Sequence, residues 1–268
     1  MVISLICFSK DRPLQLEGFL TSLFNQVVDT QKLIHVLEYI TPLYRDAYEE
    51  LHQQFPTVLF HEQTDFLHDI EGIVGEMPYT MFCCDDVVFI RGTRLSRGCD
   101  LLEKSPEILG VSLRLGFNIE RGFFSSAMKQ PAFHREDGFL TWSMEGADQD
   151  WCYPWDVLGT IYRTSFVQDM LTVLGSAQNP SQFEEIGSKL WPSITPQRYY
   201  ASWETSRTVV PTVNTVQNIF PNGIIGNRSL SSEFLLVCWQ LGLRMDTDRL
   251  AEHHYDDWRI GDFVLQRI

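Results

Sequence analysis

The chain has 268 residues, of which 44% are hydrophobic, 13% aromatic and 21% charged. That balance belongs to a globular protein and excludes disordered and collagen-like chains. Lys+Arg 21 against Asp+Glu 35 gives a formal net charge of -14 and a pI near 4.8. Nucleic-acid binding asks for a basic stripe, and the sequence has none.

The acidic balance also disfavours electrostatic attachment to anionic lipid. No apolar run approaches the ~18–20 residues that cross a bilayer, and the N-terminus lacks a basic-then-apolar signal sequence. The expected location is therefore the cytoplasm, with no transmembrane segment. Cys7, Cys83, Cys84 and Cys238 sit in apolar runs, where a free thiol behaves as a small hydrophobe. Cys99 and Cys152 complete the set, and no CxxC pair or Cys/His array suggests zinc.

In chain order, Ile3–Phe8 (ISLICF) reads as a strand buried on both faces. Pro13 suits a first helical turn, and Leu14, Leu16, Phe19, Leu20, Leu23 and Phe24 follow at helical spacing. Residues 32–40 form a second strand, a helix runs from Pro42 to about Gln54, and residues 57–61 form a third strand. A helix over about 66–76 precedes a strand, YTMFCCDDVVFI, that ends at Asp85 and Asp86. This alternation specifies a parallel sheet with helices on both faces. Arg91, Arg94 and Arg97, interrupted by Gly92 and Gly98, read as loop.

Residues 110–115 form a further strand, and 116–145 show no clear period. Residues 157–162 read as a strand, 165–174 and 182–190 as helices, and an apolar helical segment spans 229–241. Neither a repeat nor a linker interrupts the chain, so one α/β domain over 1–268 is expected, with an elaborated C-terminal half.

Ligands of open α/β sheets bind beyond the carboxyl ends of the strands. Asp11, Asp65, Asp85 and Asp86 all follow predicted strands and so share that edge. Adjacent carboxylates repel unless a cation or solvent relieves them. Mn²⁺ or Mg²⁺ accepts one or two carboxylates and takes further ligands from substrate phosphates, which suits the Asp85–Asp86 pair. The bland alternative is a solvated turn or a helix cap.

The order of a strand, SKDRPLQLEGFLTSL, a second strand and CDDVVF resembles the nucleotide-sugar half of GT-A type glycosyltransferases. The resemblance is clearest over residues 1–90, with a fainter continuation to about 190. It implies a mostly parallel central sheet flanked by helices, with about 1–90 binding a UDP- or GDP-sugar and about 91–268 binding a saccharide acceptor. By the same resemblance Ser9, Asp11, Arg12 and Asp65 lie near the nucleotide, Asp86 is the principal metal ligand, and Asp85 lies beside the ribose or phosphate. The first position of the DxD-like motif is Cys84 here.

WDVLGTIYRTSF resembles the element beneath the family's acceptor site, and Glu184 or Glu185 at the following helix start matches the base of inverting members. Acidic residues also favour a first helical turn through the macrodipole alone, and Asp148, Asp150 and Asp156 are rival bases. Trp142, Trp151, Tyr153 and Trp155 beside Asp156 suit a saccharide platform, although rings of this size equally fill core. His253 and His254 stand where a late histidine completes the metal shell in several such families.

A sugar-phosphate nucleotidyltransferase calls for a glycine-rich basic loop that SKDRP lacks, and a phosphohydrolase calls for an acid where Pro13 stands. A non-catalytic nucleotide-sugar or saccharide binder is the alternative that Cys84 keeps open.

Overall fold

A computed structural model describes residues 3–29, 32–75, 77–122, 126–216, 229–261 and 263–267. The first half alternates as the sequence predicts. β1 (Ile3–Lys10) leads into α1 (Pro13–Gln26), β2 (Lys32–Tyr39) into α2 (Arg45–Gln54), and β3 (Leu59–Glu62) into α3 (Phe66–Ile73). A single turn of 3₁₀-helix, Pro42–Tyr44, precedes α2. β4 (Tyr79–Cys84) then ends at the aspartate pair.

The run YTMFCCDDVVFI also holds a second, shorter strand beyond that end. The chain turns at Asp85–Asp86, and β5 (Val88–Phe89) joins a different sheet. Next come α4 (Leu95–Lys104), β6 (Ile108–Ser112), β7 (His134–Glu136), β8 (Phe139–Ser143), β9 (Thr160–Arg163), α5 (Thr164–Leu174) and α6 (Pro180–Ile194). The chain continues with β10 (Tyr199–Trp203), β11 (Thr208–Pro211), α7 (Ser232–Gln240), β12 (Leu243–Met245), α8 (Thr247–Ala251), β13 (Arg259–Ile260) and β14 (Leu265–Arg267).

The central sheet has nine strands in the order β3-β2-β1-β4-β9-β6-β10-β8-β7. β1, β2, β3, β4, β6, β7 and β10 run one way, and β8 and β9 run the other. Continuous apolar runs suit strands covered on both faces: Leu5, Ile6 and Cys7 of β1 are fully buried, as are Met81, Phe82 and Cys83 of β4. Helix α1 packs Leu14, Leu16, Phe19, Leu20 and Leu23 into the same core.

Two sequence expectations are corrected. The Arg91–Gly98 stretch is not all loop, because α4 starts at Leu95 and carries Gly98 inside it. A Cβ there would stand 2.9 Å from both Ile161 Cδ1 and Trp203 Cη2, so glycine marks a close helix–sheet approach and not a break. Within 116–145, β7 and β8 form an antiparallel hairpin over Asp137–Gly138, whose φ values are 51 and 80. Two positive φ angles in a two-residue loop match the twist of the strands it joins.

Candidate functional site

Register places the ends of β1, β2 and β4 along one edge, with Phe8 beside Cys84 and Lys10 beside Tyr39. A three-stranded sheet, β13-β11-β5, stands nearby. A cavity of about 430 Å³ lies between them, lined by Ser9, Arg12, Cys84 and Asp86 from the first half. Asn179, Glu184, Thr212, Asn214, Trp258 and Arg259 line it from the second.

The loop after β1 is shaped by Asp11, which adopts φ 51. This left-handed conformation is one that aspartate tolerates better than most side chains. Its Oδ1 accepts from the Thr41 backbone N–H (2.8 Å) and hydroxyl (3.2 Å). Asp11 therefore fixes the loop and is absent from the cavity lining.

Arg12 turns back over the aspartate pair. One terminal nitrogen binds Asp85 Oδ1, and the other donates to Asp86 Oδ2 at 2.9 Å. Ser9 Oγ donates to Asp85 Oδ2 at 2.9 Å and pairs with the Tyr48 hydroxyl at 2.6 Å. Asp85 is fully buried, and burial pushes its carboxyl above the ordinary range while Arg12 pulls it back. Asp86, with 16% side-chain exposure, reaches the cavity.

These geometries limit how a divalent cation could be held. Both oxygens of Asp85 are engaged by protein groups, which leaves Asp86 as the carboxylate facing the cavity. Among the described residues no group of three or more His, Cys, Asp or Glu could hold a metal alone. A hard ion that takes its other ligands from phosphates and water needs only one or two carboxylates. Asp86 fits an ion that arrives with a diphosphate.

Across the cavity, Asn179 caps α6 by accepting from the Gln182 N–H, and Glu184 follows in the second turn. Glu184 Oε1 accepts from the Val157 N–H at 3.3 Å. Burial first, and Asp156 second, push its carboxyl up to about 8, against the pull of Arg114. Glu185 points elsewhere and pairs with Lys189 at 2.6 Å.

The rival acids are committed. Arg114 is 1% exposed and donates to Asp150 (2.7 Å) and Asp156 (3.1 Å). Asp156 also accepts from Thr160 Oγ1, and Asp148 accepts from the Lys129 N–H.

The remaining predicted site residues do not converge on the cavity. Trp151 and Trp155 are fully buried, and Trp142 is 2% exposed. Trp155 packs against Phe82, Tyr162, Phe166 and Phe183, and its Nε1 donates to the Phe183 carbonyl. These rings are core, so the saccharide platform read from them has no surface to offer. Tyr153 is partly exposed and stands outside the lining. Asp65 caps α3 by accepting from the His68 N–H. His253 and His254 are exposed, with Nδ1 contacts to the Arg249 carbonyl (2.9 Å) and to Arg91 (3.2 Å). Neither histidine lines the cavity.

Sequence reasoning passed over Trp258, Arg259 and Asn214. Their neighbours gave no periodic pattern, and the signal that could have raised them was a Trp-Arg pair inside an acidic tail, DDWRIGD.

No protein-family model matches the chain. The bifunctional glycosyltransferase pgtA of Dictyostelium discoideum is 26% identical over 257 residues, covering 83% of this chain and 33% of that protein. The chain thus spans about a third of that relative's length. Among solved structures, S. aureus TarS 1-349 aligns with a TM-score of 0.54 at 10% identity, over 78% of this chain and 60% of that one. The same TarS fragment in complex with UDP aligns with a TM-score of 0.51 at 12% identity, over 75% and 60%. No described helix is long and apolar enough to cross a membrane. The chain has a GT-A-like α/β fold, similar to that of TarS, and is similar in sequence to a curated glycosyltransferase.

Proposed function

We propose that the chain transfers a sugar from a nucleoside diphosphate donor to a hydroxyl of a saccharide acceptor. The observation that carries this reading is the convergence of Asp86 and Glu184 on one cavity at the carboxyl edge of the sheet. Donor binding is assigned to about 1–90 and acceptor binding to about 91–268, within one domain. The similarity to a curated glycosyltransferase supports the same reaction class.

In this reading Ser9, Arg12 and Asp86 form the donor wall, and Asp85 serves by holding Arg12 and Ser9 in place. A Mn²⁺ or Mg²⁺ ion bound with the diphosphate at Asp86 would supply positive charge to the leaving group. Glu184 takes the proton of the acceptor hydroxyl. The freed oxygen forms a bond to the anomeric carbon, and the bond from that carbon to the diphosphate oxygen breaks with its electron pair. Attack opposite the leaving group inverts the anomeric centre. A base needs to reach the hydroxyl and to titrate near the working pH, and the raised carboxyl of Glu184 meets the second condition.

A thermal-shift panel of UDP, GDP, CDP and dTDP, each with and without Mn²⁺, tests the donor class. A ligand that binds the folded state alone raises apparent stability. One nucleotide should raise Tm in wild type and fail to do so in Asp86→Ala. No shift with any of the four would overturn the reading.

A further inference from the structure

We propose that Arg259, which lines the same cavity as the β1 loop, is a binding residue for the donor's diphosphate; this rests on the reading of the cavity as a nucleotide-sugar site. Arg259 opens β13, a strand of two residues, and lines the cavity together with Trp258. It is 7% exposed. A guanidinium is rarely placed so deep without a strong anionic environment to meet it. Burial lowers its pKa from the ordinary value, and Asp86 leads the charges that oppose that shift, with Asp257, Asp150 and Glu184 behind it. Arginine keeps its proton under such conditions. Its charge thus bears on both Asp86 and the proposed base, the two groups between which the nucleotide-sugar reading of the cavity puts the departing diphosphate.

The position is held with care. The Val210 N–H donates to the Trp258 carbonyl at 2.8 Å, and the Arg259 N–H donates to Asp257 Oδ1 at 3.0 Å. Trp258 Nε1 donates to Asp150 Oδ2 at 3.1 Å, and the Arg114 guanidinium stands 4.7 Å from the Trp258 ring centroid. One buried ion-pair cluster thereby fixes the residue next to Arg259, while its other carboxylate, Asp156, precedes the Val157 N–H that binds Glu184.

Arg12 lines the cavity as well. Its two terminal nitrogens answer Asp85 and Asp86. Arg259 brings a second guanidinium to the same space, in the planar geometry that suits two phosphate oxygens at once.

Calorimetric titration of inorganic pyrophosphate with Mg²⁺ into wild type, Arg259→Gln and Arg259→Lys tests this without any sugar transfer. Loss of a charged, two-bonded phosphate contact should weaken pyrophosphate affinity by about tenfold or more in Arg259→Gln. Arg259→Lys should fall between, because it keeps the charge and loses the fork. Pyrophosphate affinity in Arg259→Gln equal to that of wild type overturns the proposal. Should that variant not fold, undiminished affinity in a folded Arg259→Lys overturns it as well, since the fork is what the proposal invokes. A wild type that binds no pyrophosphate refutes the diphosphate reading of the whole cavity, which is a separate failure.

Discussion

Arg12 and Asp85 are buried together, and each depends on the other for its charge to be tolerated. Breaking a buried pair from one side leaves an uncompensated ion and costs about 3–5 kcal/mol. Arg12→Ala should lose stability on that scale, read as a lower urea midpoint, whereas Arg12→Lys should lose less. Glu184 poses the converse case. Its folded carboxyl titrates at about 8 against an ordinary 4.5, so the folded state holds the proton more tightly than the unfolded one. The stabilisation this gives is complete below 4.5 and disappears as pH rises through about 8. Glu184→Gln, which cannot ionise, should therefore raise Tm relative to wild type above about pH 8 and leave it unchanged below about pH 4. Transfer follows the opposite limb, because the base acts only when ionised, and the wild-type rate should climb through about pH 8. The variant should lose about 10²–10⁴ in kcat together with that climb, at unchanged nucleotide affinity. A rate that keeps its climb in Glu184→Gln would assign the base elsewhere.

Helix α6 carries Glu184 to the cavity, and its seat is set by one glycine. A Cβ on Gly187 would meet Trp155 Cδ1 at 2.2 Å and Nε1 at 2.3 Å. The indole is fully buried, anchored on the Phe183 carbonyl and enclosed by Phe82, Tyr162 and Phe166, so it has no room to yield. Gly187→Ala should thus push the helix outward. Overpacking of this kind costs about 1–3 kcal/mol. A 1 Å shift of a reacting group can cost about a hundredfold in rate, so kcat should fall further than donor affinity. Equal loss of both would mean that the helix does not position the base. The same elements show what the sequence made legible. Apolar strands with helices between them were readable over 3–84, because β1 and β4 are continuous runs buried on both faces and each strand ends at a Pro or an acidic turn. Asn179-Pro180, a side-chain cap followed by a proline in the first turn, is a start signal of the same legible kind for α6, which carries Glu184. Gly98 misled, since a glycine demanded by close packing looks the same in sequence as one demanded by a turn. The β7–β8 hairpin was readable in principle from its Asp137-Gly138 dipeptide, the strongest short-range hairpin signal of its kind. Trp151 and Trp155 beside acidic residues looked like a sugar platform, yet sequence does not distinguish a ring facing a ligand from one facing core.

Across the whole molecule, charge decides how donor and cation can enter. The chain carries a formal net charge of -14, and inside the cavity Asp85 and Asp86 are met by Arg12, with Arg259 close by. The diphosphate of a nucleotide-sugar donor brings further negative charge into an acidic protein, more than Arg259 alone offsets. A free divalent ion meets the reverse difficulty, because Arg12 already binds the carboxylate that would receive it, and no group of three or more ligand side chains gathers among the described residues. Bound together, the ion offsets most of the diphosphate's charge, and the diphosphate supplies the oxygens that Asp86 alone cannot. Coupling of this kind is reciprocal: whatever factor the nucleotide adds to metal affinity, the metal adds to nucleotide affinity. Titration of Mn²⁺ into the protein alone, followed by electron paramagnetic resonance of the free ion, should show weak binding. In the presence of the stabilising nucleotide, and after subtraction of metal bound to nucleotide in solution, one tight ion per chain should appear. Asp86→Asn should abolish that ion, whereas His253→Ala and His254→Ala should leave it in place. Tight Mn²⁺ binding without nucleotide would show that the protein builds a resident metal site, and its loss in either histidine variant would restore those residues to the ligand set.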